Sequence, residues 1–286
     1  MTPRGISEEY WRAAGEAGLV VDLDGHPCVA GEYQEPLSGE QQCLVEYADP
    51  ALLTDRAAAR RLARLLAEHF PDSRLAVVRT PAELRMPEPW ERHLSYVQHI
   101  GAATSPADGI AITPADGIAI TPADRRDDEQ VARWLVQAFH NAGQHGSVDD
   151  AAARRHAQQI IAAPDRRSLI ARSSGTAIGH ATLLCEAGDD VDGGRFVELL
   201  DILIDPPQLR RATTAALVDA SRAVADDLGL PLVGNVVHPR NVVHARPAGP
   251  DTGRSRVLDS LLTTGWRLRH TYWRMPLPQD GTGGAR

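Results

Sequence analysis

The sequence predicts an α/β chain of the α+β kind, with a central mixed β-sheet flanked by helices. Three observations predict it. An apolar run from Phe196 to Ile204 is short enough for one buried strand, and Pro206 and Pro207 stop it, because neither has an N–H to give to a ladder. Behind it, Ala216, Leu217, Ala220, Val224 and Leu228 recur at helical spacing. Finally, residues 117–276 read β-α-α-β-β-β-α-β, and a shortened copy of that order occupies residues 1–100.

The copy is one of element order, not of residue identity. Gln42 to Ala48 reads as a strand stopped by Asp49-Pro50, as Ile204 is followed by Asp205-Pro206. Thr54 or Asp55 suits the N-cap of a helix carrying Ala59, Leu62, Leu65, Leu66 and His69. A β-rich run, Leu75 to Val78, follows. In the second half the corresponding run is Leu232 to Val237. Both halves close on a Trp-containing segment, Trp90 to Val97 and Trp266 to Trp273.

Residues 101–116 read as a linker. They contain the first copy of an exact duplication, Gly109 to Asp116, repeated as Gly117 to Asp124; the second copy is expected to supply the strand. Apolar residues Val131, Trp134, Leu135, Ala138 and Phe139 predict a helix over 127–141, with Asp124 or Asp127 as N-cap. Residues 148–163 predict a second helix, with Asp149 and Asp150 at its positive end. Residues 167–172 and 176–185 read as strands joined by Ser173-Ser174-Gly175. The acidic, glycine-rich stretch 186–194 is expected to be a loop. The Pro-, Arg- and His-rich stretch 238–254 reads as a lid, as a basic contact for a large substrate, or as disorder, and residues 278–286 as a disordered tail.

Composition bounds the function classes. With 286 residues, 43% hydrophobic and 24% charged, the chain can bury a large core. Every basic residue is arginine, and the net charge of −8 argues against general nucleic-acid affinity. The charge is uneven: residues 205–286 carry 11 arginines against 7 acids, while 1–100 carry 10 against 16. Cys28, Cys43 and Cys185 form no CxxC pair and read as small apolar residues in a reducing compartment. His238 and His244 lack a third ligand at metal spacing and read as a solvated pair. No apolar run is long enough to span a bilayer, and the N-terminus lacks an apolar leader region, so no membrane association and a cytoplasmic location are expected.

The order of elements resembles the GNAT (GCN5-related N-acetyltransferase) superfamily, in which the fourth strand runs into a pyrophosphate-binding turn, Arg/Gln-x-x-Gly-x-Gly/Ala, and then a helix. Here that turn is Gln208-Leu209-Arg210-Arg211-Ala212-Thr213-Thr214, continuing into Ala215. Ala212 and Thr214 stand where the family has glycines. The ending Val257 to Trp266 resembles the family's last helix and strand start, with Trp for Phe. The resemblance implies a tandem chain: a degenerate half over 1–100, a linker over 101–116 and a transferase half over 117–277.

The resemblance also implies the chemistry. The fourth and fifth strands would splay apart and admit the carrier, with a backbone N–H near Leu203 or Ile204 as the oxyanion donor and the turn holding phosphate. Acyl transfer to an amine needs a base, an oxyanion donor and a leaving-group acid. Glu198 is the leading candidate base and Asp201 the second. Three apart, they face opposite sides of a regular strand, which a bulge would change. The family's usual Tyr and Asn are replaced by Leu261 and Arg254, and Tyr272 is the candidate substitute acid. The donor implied is acyl-CoA as co-substrate, with no permanently bound cofactor, and the acceptor is an amine-bearing small molecule, with specialised metabolism as the expected setting. Two rival readings keep the fold. Tandem chains resembling the Fem aminoacyltransferases use aminoacyl-tRNA, which the arginine-rich 205–286 region would contact. A pseudo-acetyltransferase would only bind a ligand.

Overall fold

Helix α1, Glu8–Glu16, is the first element of the computed structural model, which describes residues 3, 5–101, 117–142, 148–205, 207–238 and 256–278. Its Ser7 N-cap hydroxyl accepts from the Tyr10 N–H at 3.1 Å. A hairpin follows, β1 Val20–Leu23 and β2 His26–Gln34. These three elements lie where the sequence pattern predicts nothing. The expected strand appears as β3, Gln41–Ala48. Asp49 stops it and caps a 3-10 turn at Pro50–Leu52. Helix α2, Arg56–His69, is capped by Asp55, which accepts from the N–H groups of Ala57 and Ala58 at 2.8 and 2.9 Å. Strands β4, Leu75–Pro81, and β5, Glu91–His99, close the first segment.

The second copy of the duplication forms β6, Ile118–Pro122; the first copy lies outside the described residues. Helices α3, Asp128–Ala142, and α4, Asp150–Ala162, follow. Asp149 caps α4 through the N–H groups of Ala151 and Ala152. Next come β7 Arg166–Ser173, β8 Thr176–Asp189 and β9 Gly194–Ile204. The expected loop over 186–194 is therefore largely strand: β8 and β9 pair out to Asp189 and Gly194, leaving a tight tip. A 3-10 turn at Pro207–Leu209 leads into α5, Arg210–Asp227. Strand β10, Leu232–Val237, helix α6, Arg256–Thr263, and strand β11, Trp266–Pro276, complete the fold. Gly265, at φ +87°, makes the left-handed turn between the last two, a conformation costly for residues with a Cβ.

All eleven described strands form one sheet, ordered β1-β2-β3-β4-β11-β5-β10-β9-β8-β7-β6. Strand β11, from the end of the chain, lies between β4 and β5, while β5 lies between β11 and β10. Each segment has thus given its last strand to the other. Ser95 faces Thr271 on the β5–β11 ladder. About that pair the arrangement is nearly two-fold: Tyr96 faces Asn235 on β10, and Tyr272 faces Arg79 on β4.

Each segment also has one parallel strand pair that opens. Strands β3 and β4 pair from Gln42 and Leu75 only as far as Val45 and Val78. Strands β9 and β10 pair from Val197 and Leu232 only as far as Leu199 and Gly234. Beyond those points the members diverge. Helix α2 packs on the sheet through Leu62 and Leu66, against Val45 and Val78. Helix α5 packs through Leu217, Ala220 and Val224, against Leu183 and Leu199. On the other face, α3 and α4 cover Ile170 with Trp134, Leu135 and Ile160. The three cysteines are buried free thiols, consistent with packing residues.

Candidate active site

Strand β9 contains a bulge. Glu198 pairs with Leu184, Leu199 with Leu183, and Asp201 with Thr182, so Leu200 is an extra residue. The bulge cancels the odd spacing, and Glu198 and Asp201 lie on one face. This corrects the expectation for a regular strand. Their surroundings still differ. Asp201 approaches the fully buried His180, its Oδ2 3.2 Å from Nε2 without hydrogen-bond alignment. His180 in turn stacks on Trp134, ring centroids 5.2 Å apart. Asp201 is thus placed beneath α3.

Glu198 instead faces the middle of the sheet. Asn235 Nδ2 donates to its Oε1 at 3.4 Å. Burial raises its pKa above the usual carboxylate range, and the Asn235 bond opposes that only in part. The sheet registers show what shares its face. Arg79, Tyr272, Leu94 and Val237 are laterally paired. Asn235 and Val233 follow Val237 at two-residue steps, and Val233 pairs with Glu198. Residues two apart share a face, so Arg79 and Glu198 look into the same space.

That space is a cavity of about 190 Å³, lined among others by Tyr10, Glu46, Arg79, Tyr96, Glu198 and Tyr272. Arg79 holds Asp189 through both terminal nitrogens, at 2.7 and 2.5 Å. Asp189 comes from the tip of the β8–β9 hairpin, so this bidentate pair clasps the second segment to the first. Arg79 and its neighbours keep the Asp189 carboxyl below its ordinary pKa despite burial. The Ser7 N–H donates to the Val191 carbonyl at 2.7 Å, bringing α1 and Tyr10 over the cavity. Tyr272 donates its hydroxyl to Glu46, 2.9 Å from Oε2. Burial raises the pKa of Glu46 and of the Tyr272 phenol. The His270 ring stacks on Tyr96 at 4.6 Å; burial and Arg79 push its pKa down, with Asp189 opposing.

The structure therefore brings Glu198 and Tyr272 to one cavity and places Asp201 elsewhere. The phenol proton of Tyr272 points to Glu46, toward the first segment and away from the β9–β10 opening. Leu203 and Ile204 continue β9 beyond the opening and pair with His180 and Gly179 on β8. In the expected phosphate turn, Gln208, Arg210, Arg211 and Ala215 are exposed, Leu209, Ala212 and Thr214 are half-buried, and Thr213 is buried. No side chain caps the start of α5, and its first turn has no acid. Among the described residues, neither Arg210 nor Arg211 makes an ion pair.

Glu46, Arg79, Tyr96 and Asn235 were not singled out by spacing. A signal existed for three of them: Glu46, Arg79 and Asn235 are each polar inside an otherwise apolar run, whereas Tyr96 sits in a largely polar strand. The solvated reading of His238 is overturned. It is 4% exposed, its Nε2 lies 2.8 Å from Ser95 Oγ, and its backbone N–H donates to the His93 carbonyl at 2.9 Å. His244 and most of the 238–254 stretch lie outside the described residues, as do residues 279–286. Among the described residues no group of acids, histidines and cysteines is arranged to hold a metal ion. Nor is any helix long and apolar enough to cross a membrane.

No protein-family model matches the chain, and no curated protein matches its sequence. Solved structures match its shape. A GCN5-related N-acetyltransferase from Sphaerobacter thermophilus superposes with a TM-score of 0.52 at 14% identity, over 92% of this chain and 81% of that one. A functionally unknown conserved protein from Staphylococcus epidermidis gives a TM-score of 0.48 at 12% identity, over 89% and 94% of the two chains. A GNAT-family acetyltransferase from Colwellia psychrerythraea gives 0.46 at 10% identity, over 91% and 84%.

Proposed function

Because the chain has the GNAT fold, we propose that it is an N-acyltransferase, moving an acyl group from acyl-CoA to the amine of a small molecule. One observation carries this reading: β9 parts from β10 directly after Leu199 and Gly234, one residue beyond a half-buried carboxylate with a raised pKa, Glu198. The opening gives an acyl carrier a place between two strands, and Glu198 faces the acceptor cavity beside it.

The carrier's phosphates would lie at the start of α5. Uncapped N–H groups and the helix dipole favour an anion there, and exposed Arg210 and Arg211 add charge. The Cβ atoms of Ala212 and Thr214 narrow the approach that glycines give elsewhere in the superfamily. Glu198 takes a proton from the acceptor ammonium. The freed amine attacks the thioester carbonyl, a C–N bond forms and the C–S bond breaks. The thiolate leaves and is reprotonated.

Calorimetry of acetyl-CoA with the purified chain tests the donor. Micromolar binding, weakened about tenfold by Arg210→Ala with Arg211→Ala, is expected. Glu198→Gln should bind acetyl-CoA normally yet lower turnover of an accepted amine by about a hundredfold or more. Absence of acetyl-CoA binding, with salt-sensitive binding of aminoacyl-tRNA instead, would replace the donor.

A further inference from the structure

We propose that Asp201, held by His180 at the β9–β10 opening, selects the acyl group: it admits neutral or ammonium-bearing acyl chains and excludes those ending in a carboxylate. The proposal rests on the acyltransfer reading and names the class of donor that the same site takes.

The charge at this position follows from a chain of polar groups on the face covered by α3. Arg166 Nη1 donates to Ser168 Oγ at 3.2 Å. Ser168 Oγ lies 3.0 Å from Thr182 Oγ1, and Thr182 Oγ1 lies 3.0 Å from His180 Nδ1. A guanidinium only donates, so Ser168 accepts from Arg166 and gives its own proton to Thr182. Thr182 in turn gives its proton to Nδ1. The reverse order would leave the proton of the buried Ser168 hydroxyl without an acceptor among the described residues. With Nδ1 an acceptor, the ring carries one proton, on Nε2, 3.2 Å from Asp201 Oδ2. No imidazolium therefore cancels the carboxylate. Among the described residues no arginine makes an ion pair with Asp201 either.

The sheet register places this charge beside the path of a donor. Glu198 pairs with Leu184 and Asp201 with Thr182. Those partners are two residues apart along β8, about 7 Å, and the bulge puts both acids on one face. Strand β10 leaves β9 after Leu199, and residues from Leu200 to Leu203 are only half-buried although β9 is an inner strand. The Asp201 side chain is 22% exposed. A thioester entering by this opening passes Asp201 before its carbonyl reaches an amine at Glu198. A carboxylate on its acyl chain meets like charge in a gap partly closed to water, whereas an ammonium meets a counter-ion.

Calorimetry on the full chain with thioesters of equal chain length, propionyl-CoA, β-alanyl-CoA and malonyl-CoA, tests this. Malonyl-CoA should bind at least about tenfold more weakly than propionyl-CoA, and β-alanyl-CoA at least as tightly as propionyl-CoA. Asp201→Asn keeps an oxygen for the His180 N–H and should shrink the malonyl penalty at least about threefold. Asp72→Asn, at an exposed acid between α2 and β4, changes the net charge equally and should leave the penalty intact. Asp201→Ser decides if the Asn variant does not melt cooperatively. Equal affinity for malonyl- and propionyl-CoA, or an undiminished penalty in the folded Asp201 variant, overturns the proposal and leaves acyl-CoA as the donor. Binding of none of these thioesters overturns the acyl-CoA reading and the selection with it.

Discussion

At Glu198 two effects oppose each other: burial disfavours the carboxylate, and the Asn235 amide favours it. Burial is the larger. A base acts only when ionised, so kcat/KM should fall with decreasing pH through an apparent pKa above that of an ordinary glutamate. Asn235→Ala removes the opposing bond and should move that limb to higher pH. A pH–rate profile unchanged by Asn235→Ala would separate the limb from Glu198. The stability sign follows from the same shift. A raised folded pKa contributes stability below the unfolded value and loses it as pH rises through the folded one. Glu198→Gln should therefore melt on the order of a degree or two above the parent at neutral pH, and the gain should vanish in acid. Glu198 was legible because it sits in the one strand whose following turn has a recognisable shape. Glu46 was not, because its partners Arg79 and Tyr272 are far away in sequence.

Among the elements, the helices were the most legible. Asp55 and Asp149 sit directly before apolar periodic runs, and both cap in the structure. Strand β9 was legible for a related reason, since its apolar run has a hard stop. The outer part of β8 was not. Glu186 to Gly194 has loop composition, and what extends it as strand is its ladder with β9 and the long-range clasp of Asp189 on Arg79. Strand β8 also fixes the end of β9. Gly179 faces Ile204 there, and an added Cβ would lie 2.6 Å from the Leu203 carbonyl oxygen and 3.1 Å from the Ile204 Cα. Backbone cannot yield as a flexible side chain does. Gly179→Ala should cost about 1–3 kcal/mol, seen as a lower melting temperature. It should also weaken acetyl-CoA, because the displaced strand end forms one wall of the opening. Loss of stability with unchanged acetyl-CoA affinity would detach that wall from carrier binding.

The repeated order of strand, helix and strand marks two segments of similar element order in the sequence, but not how they join. Alternation shows which face of a strand is buried, not which strand lies beside it, so the exchange of β5 and β11 left no trace in either pattern. Its consequence is that neither segment is complete alone. Residues 117–286 by themselves would lose β5 from the edge of β10, and both neighbours of β11, β4 and β5. They would also leave Asp189, 6% exposed, without Arg79. An unpaired apolar edge invites association with other chains, and Asp189 would keep only the more distant Arg269, 3.8 Å away, in place of a bidentate partner, which destabilises a buried carboxylate. Expressed alone, this segment should be aggregated or should lack a cooperative melt. Co-expression with residues 1–101 as a separate chain should recover a soluble complex, while the intact protein should melt in one transition. If 117–286 were soluble, cooperatively folded and bound acetyl-CoA with parental affinity, the first segment would be dispensable to the fold. Its contribution would then be confined to the Glu46 end of the cavity.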